Sequence, residues 1–266
     1  MLKQLVFLVI IMSLFCSVVA ADLQDGLIVH YPFDETKGNA VSDDSGNDHN
    51  AELIGGAEWL STEGRHDGAI SLDGNDGCVV DENGGNYING LTAFTVSVWV
   101  KASEINHDRG FVMGIDPDGQ DRIFGLRYDK SSWDVKGGVN VIKASLTTTG
   151  GTQTYESKSD VQSTEWQHIA YSWESGQKLS MYINGIFDDT PTHNSDATEG
   201  EVSDVVKLIV GKGAKDSNGS WLGLVDEFRL YNRSLSEREI EMLRVNVTSV
   251  TPLEKLTTTW GKIKRI

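Results

Sequence analysis

The chain is short of cysteine, proline and basic charge, and each shortage closes off a class of protein. Two cysteines occur in 266 residues. Cys16 lies in the opening segment MLKQLVFLVIIMSLFCSVVAA, which reads as a secretory signal peptide over residues 1–21: Lys3 gives the positive start, an apolar run follows, and small residues precede the cleavage point. Its removal leaves Cys78 alone, so no internal disulfide is expected, and Cys78 in GCVV reads as a small buried apolar residue. Four prolines stand against 28 glycines with no collagen period, which suits tight turns between short strands. Basic residues number 23 against 39 acidic ones, a formal net charge of −16. That sign repels phosphate backbones, and the basic cluster Lys262, Lys264 and Arg265 stands at the extreme C-terminus, so nucleic acid is not an expected partner. After the leader no apolar run approaches the roughly 20 residues of a spanning helix. No transmembrane segment is therefore expected after signal cleavage, and the protein is expected to be secreted, extracellular or at the periplasm or cell surface. Catalytic signatures are lacking too: there is no GxSxG elbow, HExxH helix or GxxxxGKS loop, and the six histidines show no short zinc spacing.

What the chain does contain is alternation. In LIVHYPF, Leu27, Val29, Tyr31 and Phe33 share one face; in FTVSVWVK, Phe94, Val96, Val98 and Val100 alternate with Thr95, Ser97, Trp99 and Lys101. Period two is strand spacing. Similar stretches at AISL, GCVV, GFVMGI, RIFGLRY, GVNVIK, WQHIAYSW, LSMYI, VVKLIV and LVDEFRLY are separated by Gly, Asn, Asp and Ser. One segment, 236–244, has helical spacing, with Ser236 as N-cap, Glu239 as its capping-box partner, and Ile240 and Leu243 as the apolar stripe. No Pro-rich or Ser-rich linker divides the series. The expected architecture is all-β, one domain over 22–244 with one short C-terminal helix. Residues 245–266 form a C-terminal tail in which Leu253, Leu256, Trp260 and Ile263 keep helical spacing, but Thr257, Thr258, Thr259 and Gly261 are weak helix formers, so a mobile tail is expected.

The motifs GLIVHYPFDE, DDSGNDHNAEL, GRHDGAISLDGNDGCV, FTVSVWVKAS, EWQHIAYSWESGQKLSMYINGI, LIVGKG and LGLVDEFRLYNRSLSEREI resemble the laminin-G-like jelly-roll domains of the concanavalin A-like lectin/glucanase superfamily, from Gly26 to about Leu243. The resemblance implies a two-sheet antiparallel β-sandwich (jelly roll), usually built around a calcium site and used to bind carbohydrate or protein. The fold alone does not fix the function.

Residue chemistry gives the cation a separate footing. If LVDEFRLY alternates strictly, Asp226 lies on the side of Phe228 and Leu230, and an unpaired buried carboxylate is very costly. Upstream, Asp43, Asp44, Ser45, Gly46, Asn47, Asp48 and His49 form a turn dense in oxygen donors, and calcium takes 6 to 8 oxygens. By resemblance to family members, calcium is expected on Asp44, Asn47, Asp226, the carbonyl of His49 and Asp34. The alternative is a solvated Asx-rich turn, with Asp226 paired to Arg229 or Arg65. A second acidic stretch, residues 116–121, has its glycine at the wrong place for an EF-hand loop and reads as a hairpin turn.

Glycoside hydrolysis on this fold needs two facing carboxylates. The nearest match to the glucanase motif is Glu199, Glu201 and Asp204, in a polar, glycine-interrupted stretch that reads as a loop. Sugar binding needs exposed aromatic faces beside polar side chains. Tyr128 and Trp133 in RYDKSSWD and Trp221 in DSNGSW fit that pattern, whereas Trp59, Trp99, Trp166 and Trp173 read as packing residues. The expected function is a secreted, calcium-containing, non-catalytic binding module for carbohydrate or an extracellular protein partner. A structural cell-surface interaction protein and a glycan-cleaving enzyme are the alternatives.

Overall fold

The computed structural model describes residues 23–117, 124–131, 138–212 and 219–245. The leader, the tail beyond residue 245, Trp133 and most of the 116–121 stretch lie outside them. The compact unit is Gly26–Asn246. Its elements are β1 (Leu27–Tyr31), β2 (Ala40–Val41), β3 (Ala51–Ile54), β4 (Glu58–Leu60), β5 (Ala69–Asp73), β6 (Cys78–Asp81), α1 (Gly85–Ile88), β7 (Ala93–Ala102), β8 (Arg109–Ile115), β9 (Phe124–Ser131), β10 (Val139–Thr148), β11 (Gly151–Glu156), β12 (Gln167–Glu174), β13 (Ser180–Ile183), β14 (Ile186–Phe187), β15 (His193–Asn194), β16 (Lys207–Val210), β17 (Leu222–Tyr231) and α2 (Glu237–Arg244).

The strands form two antiparallel sheets. Sheet I runs β14-β13-β12-β7-β17-β5-β4, with β1 also on β17; sheet II runs β15-β11-β10-β9-β8-β16-β6-β3-β2. Alternation explains the sandwich. The Phe94, Val96, Val98 and Val100 face of β7 is wholly buried and meets the apolar faces of sheet II, with Phe94 and Phe124 ring centroids 4.9 Å apart. The first and last strands adjoin: β1 pairs with β17, and β17 with β7. The chain therefore closes on itself and brings its opening and closing motifs side by side.

The C-terminal helix forms as its sequence dictates. Ser236 caps α2, the Ser236 N–H donates to Glu239 Oε2 at 2.8 Å, and Ile240 and Leu243 are buried. A Cβ on Gly185, in the β13–β14 turn at φ 79°, would strike the Glu241 side chain, so glycine lets α2 lie against this hairpin. Cys78 is buried and free, and burial pushes its thiol up to about 11. On the outer face of sheet II, Lys143 is buried between Asp129 at 3.0 Å and Glu156 at 3.2 Å, and Arg127 reaches Asp129 at 2.9 Å.

Candidate functional site

Asp226 is held at a break in β17. The β17–β7 register passes Val225↔Val100 and Asp226↔Trp99, then resumes at Arg229↔Ser97. The extra residue is Glu227, whose φ of 53° is left-handed, a conformation costing roughly 1–2 kcal/mol for a residue with a Cβ. Directly opposed residues of an antiparallel pair face the same way, so Asp226 points with Trp99, away from core residues Val225 and Phe228. This corrects the expectation of strict alternation. One inserted residue resets the phase, as bulges do.

Asp226 is nonetheless fully buried, at 0% exposure. The loop after β4 closes over it: the His66 N–H donates to Asp226 Oδ2 at 2.9 Å, and the Arg65 amide adds a second bond. Oδ1 has no protein partner. Burial pushes the Asp226 carboxyl up to about 8, the two amides pull it down, and the charges of Glu227 and Asp34 raise it further. Asp34 Oδ1 accepts from the Gly68 N–H at 2.7 Å, and a Cβ on Gly68 would sit 2.6 Å from the Phe33 carbonyl oxygen, so glycine permits this close approach. Desolvation raises the Asp34 pKa against the Gly68 bond, and Asp67, Glu227 and Asp44 add to the rise. Phe33, at φ 62°, is a second bulky left-handed residue beside these carboxylates. Backbone strain of this kind collects where a site over-determines the chain.

A ring of charge surrounds the pair. Glu227 Oε2 meets His30 Nε2 at 2.8 Å and also the Arg229 guanidinium. Burial raises Glu227, but the His30 bond and Arg229 outweigh it and hold the carboxyl below its usual range. The Arg65 guanidinium lies 4.7 Å from the centre of the Trp99 ring, a cation–π contact. Trp99 in turn contacts the rings of His66 and His168. His66 Nε2, Trp99 Nε1 and His168 Nδ1 share with Asp226 Oδ1 the property of being buried without a protein partner. Buried polar atoms are normally partnered, and of these four Asp226 Oδ1 is the oxygen.

The turn at 43–49 is organised by Asp43, which the sequence reading placed in the turn but not among the ligands. Its Oδ1 accepts the His30 and Ser45 amides and its Oδ2 the Ser45 hydroxyl and the His49 amide. Burial pushes Asp43 up, and these bonds outweigh it, holding the carboxyl below its usual range. The signal was available: Asp two residues before Ser is an Asx-turn pattern. Asn47 turns its amide to β1, donating to the Leu27 and Ile28 carbonyls at 3.0 and 2.9 Å. The His49 carbonyl accepts the Tyr31 hydroxyl at 2.7 Å, and its ring lies 4.1 Å from that of Tyr87. The structure thus brings Asp34, Asp226 and Glu227 into mutual electrostatic reach, with Asp44 near Asp34. It ties Asn47 and His49 to β1.

Among the described residues no three His, Cys, Asp or Glu side chains converge as a ready metal cage. A cation here would need carbonyl or water oxygens as well. The orphaned Asp226 Oδ1 and the neighbouring Asp34 carboxylate fit an oxygen-seeking cation of the calcium kind, which accepts such mixed donor sets.

The aromatic candidates require a correction. Tyr128 is 2% exposed and Trp221 0%, and their ring centroids stand 5.0 Å apart inside the core. β9 runs on to Ser131, so Tyr128 keeps the inward phase of Phe124 and Leu126, and its hydroxyl donates to Gln167. Trp221 donates its amide to Gly211 at 2.9 Å immediately before β17 begins, so the polar stretch has ended before it. Neither ring can stack on a sugar. Trp133 lies outside the described residues. Glu199, Glu201 and Asp204 are exposed on the connection between β15 and β16, as their sequence suggested. β8 and β9 pair as antiparallel neighbours, and most of the 116–121 stretch between them lies outside the described residues.

Two antiparallel sheets closed by a β1–β17 pair define a jelly-roll sandwich. Residues 72–241 match the family described as the concanavalin A-like lectin/glucanases superfamily, and the chain belongs to it. Over 229 residues, 83% of the chain, it is 24% identical to Paraclostridial mosquitocidal protein 1 of Paraclostridium bifermentans, spanning 17% of that protein's length. The binding domain of the same toxin superposes with a TM-score of 0.62 at 18% identity, covering 84% of this chain and 52% of that one. Domain 4 of AbnA, a GH43 extracellular arabinanase from Geobacillus stearothermophilus, solved with arabinotriose, superposes with a TM-score of 0.58 at 21% identity, covering 82% of this chain and 98% of that domain.

Proposed function

We propose that this protein is a secreted, calcium-containing, non-catalytic binding module whose partner is a carbohydrate or an extracellular protein. The observation that carries the binding reading is the whole-domain likeness to domain 4 of the arabinanase, solved with arabinotriose, with the toxin binding domain in support. The orphaned, buried Asp226 Oδ1 supports the cation: calcium supplies positive charge that lets Asp34 and Asp226 stay ionised together, and so fixes the loop at 65–68 against β17. Asp44 and the His49 carbonyl, from the turn beside β1, belong to the same proposed donor set.

The test is an oligosaccharide array that includes arabinotriose, probed with the full purified chain, alongside reducing-sugar assays on polysaccharides and a pull-down against extracellular proteins. Glycan or protein binding without sugar release is the expected result. Release of reducing sugar that disappears in Glu199→Gln or Glu201→Gln would make the chain an enzyme.

A further inference from the structure

Sheet II ends in a groove at its β2–β3–β6 edge, beside the turn at 43–49. The pairings of β2 with β3 and of β3 with β6 set Ala40, Glu52 and Val80 in one row across three strands, with Ile54 opposite Cys78. A groove of about 430 Å³ opens over this row. That volume falls in the roughly 300–1,000 Å³ range of small-molecule sites. Its floor is apolar: Ala40, Val80 and Ile54, the last 42% exposed.

The rim is polar, and Asn50 is held in place. Asn39, Asn50 and Asn83 bring three side-chain amides, and Glu52 and Glu82 two exposed carboxylates. Asn50 Oδ1 accepts the Asp43 N–H at 2.8 Å, which fixes the direction of its NH₂ group. The Asn83 turn is pinned by its amide on Asp81 Oδ1 at 2.8 Å, and Asp81 is pinned in turn by the Tyr87 hydroxyl at 2.6 Å. The part of the rim held this way loses little freedom when a ligand arrives.

The chemistry of the lining selects the ligand. No lysine, arginine or histidine is among the residues that line the groove, Glu82 has Lys207 Nζ at 3.3 Å beside it, and the chain is strongly acidic. Sialylated, sulfated and phosphorylated ligands are repelled. Amides supply both donors and acceptors, and carboxylates accept, which matches neighbouring hydroxyls. The exposed Ile54 and the Val80 floor suit the C–H face of a sugar ring.

We propose that this edge groove is a binding site for a short neutral oligosaccharide, held by Asn39, Asn50, Asn83 and Glu52 over Ile54 and Val80. The proposal rests on the carbohydrate-binding reading above and names where and what it binds. An array of neutral, sialylated and sulfated oligosaccharides, probed with the full chain, should return neutral binders. Calorimetry on the strongest of them should then show a loss of about tenfold or more in the double variant Asn39→Ala/Asn83→Ala, the scale of two lost hydrogen bonds. Ile54→Arg, which fills the groove from an exposed position, should match it, with melting temperatures unchanged in both. A neutral glycan bound equally well by all three proteins would overturn the groove and leave the carbohydrate reading standing. A silent array would overturn both. Binding confined to charged glycans would give the groove a different ligand and overturn the assignment.

Discussion

Asp226 stands directly across from Trp99 on the outer face of sheet I, and the left-handed bulge at Glu227 puts it there. One step later, β17 returns Phe228 to the core. A single inserted residue therefore separates a buried carboxylate from the apolar interior and hands it to a loop that carries Arg65, His66 and Gly68. The carboxylate is enclosed without being in the core, and its second oxygen has no protein partner.

Calcium should stabilise the fold by mass action. An ion that binds the native state and not the unfolded one contributes about 2.7 kcal/mol when its free concentration is a hundredfold above Kd. Thermal unfolding in excess EDTA should show a lower Tm than in calcium, and Asp226→Ala should erase the difference. Coincident melting curves of the native chain in the two buffers, with no calcium in elemental analysis, would dismiss the site.

Without the ion, stability should fall as pH rises from near 4 to about 8. The Asp226 carboxyl titrates at about 8 when folded and near 4 when unfolded, so between these values the native state holds a proton the unfolded chain has released. The slope is therefore negative in that window, absent below it, and the loss is complete above it. Asp226→Asn, neutral throughout, should flatten this part of the profile. Urea midpoints in EDTA across that range measure it, and parallel profiles for the two proteins would contradict the burial argument.

Trp221→Ala should destabilise by about 3–5 kcal/mol, the cost of emptying a core aromatic site. Trp221 packs on Phe111 and Tyr128 at centroid distances of 5.2 and 5.0 Å, and its indole N–H donates to the Leu224 carbonyl. Urea unfolding followed by circular dichroism reads the loss. A near-neutral change would mean that the ring is not in the core.

Lys143→Met should cost about 3–5 kcal/mol, because it removes the ammonium between two buried carboxylates, Asp129 and Glu156. Replacing Asp129 with Asn in that variant should recover part of the loss by removing one of the repelling charges. A double-mutant cycle on urea midpoints tests the coupling, and strict additivity would show that the network contributes nothing as a unit.

Much of the architecture is written in local spacing. The period-two face of β7, from Phe94 to Val100, is the side that faces the core between the sheets, and the Ser236–Glu239 capping box starts α2 where the sequence places it. Both are decided within a few residues: an apolar row must be buried on one side of a pleat, and a cap needs only its own first turn. The exposed loop at Glu199, Glu201 and Asp204 was readable in the same way, because it lacks an apolar phase.

The site was only half legible, and the reason is physical. Asp226 was identifiable as a carboxylate in an apolar strand and Asp34 through the family resemblance, but the direction of Asp226 depends on a bulge, and Glu227 has no glycine to announce the left-handed turn there. Polar neighbours made Tyr128 and Trp221 look exposed, yet the β8–β9 pairing carries Tyr128 inward and the bond from the Trp221 N–H to Gly211 holds Trp221 at the core. The sequence by itself determined the strands that alternate clearly, the C-terminal cap and the acidic character of the chain, but not strands such as Gly151–Glu156, because the former follow from composition and from residues a few positions apart. Tertiary structure alone decided which carboxylates meet, which aromatic rings are buried and where an edge groove opens, because these depend on contacts between segments up to about 200 residues apart, such as His30 with Glu227, and local spacing holds no information about them.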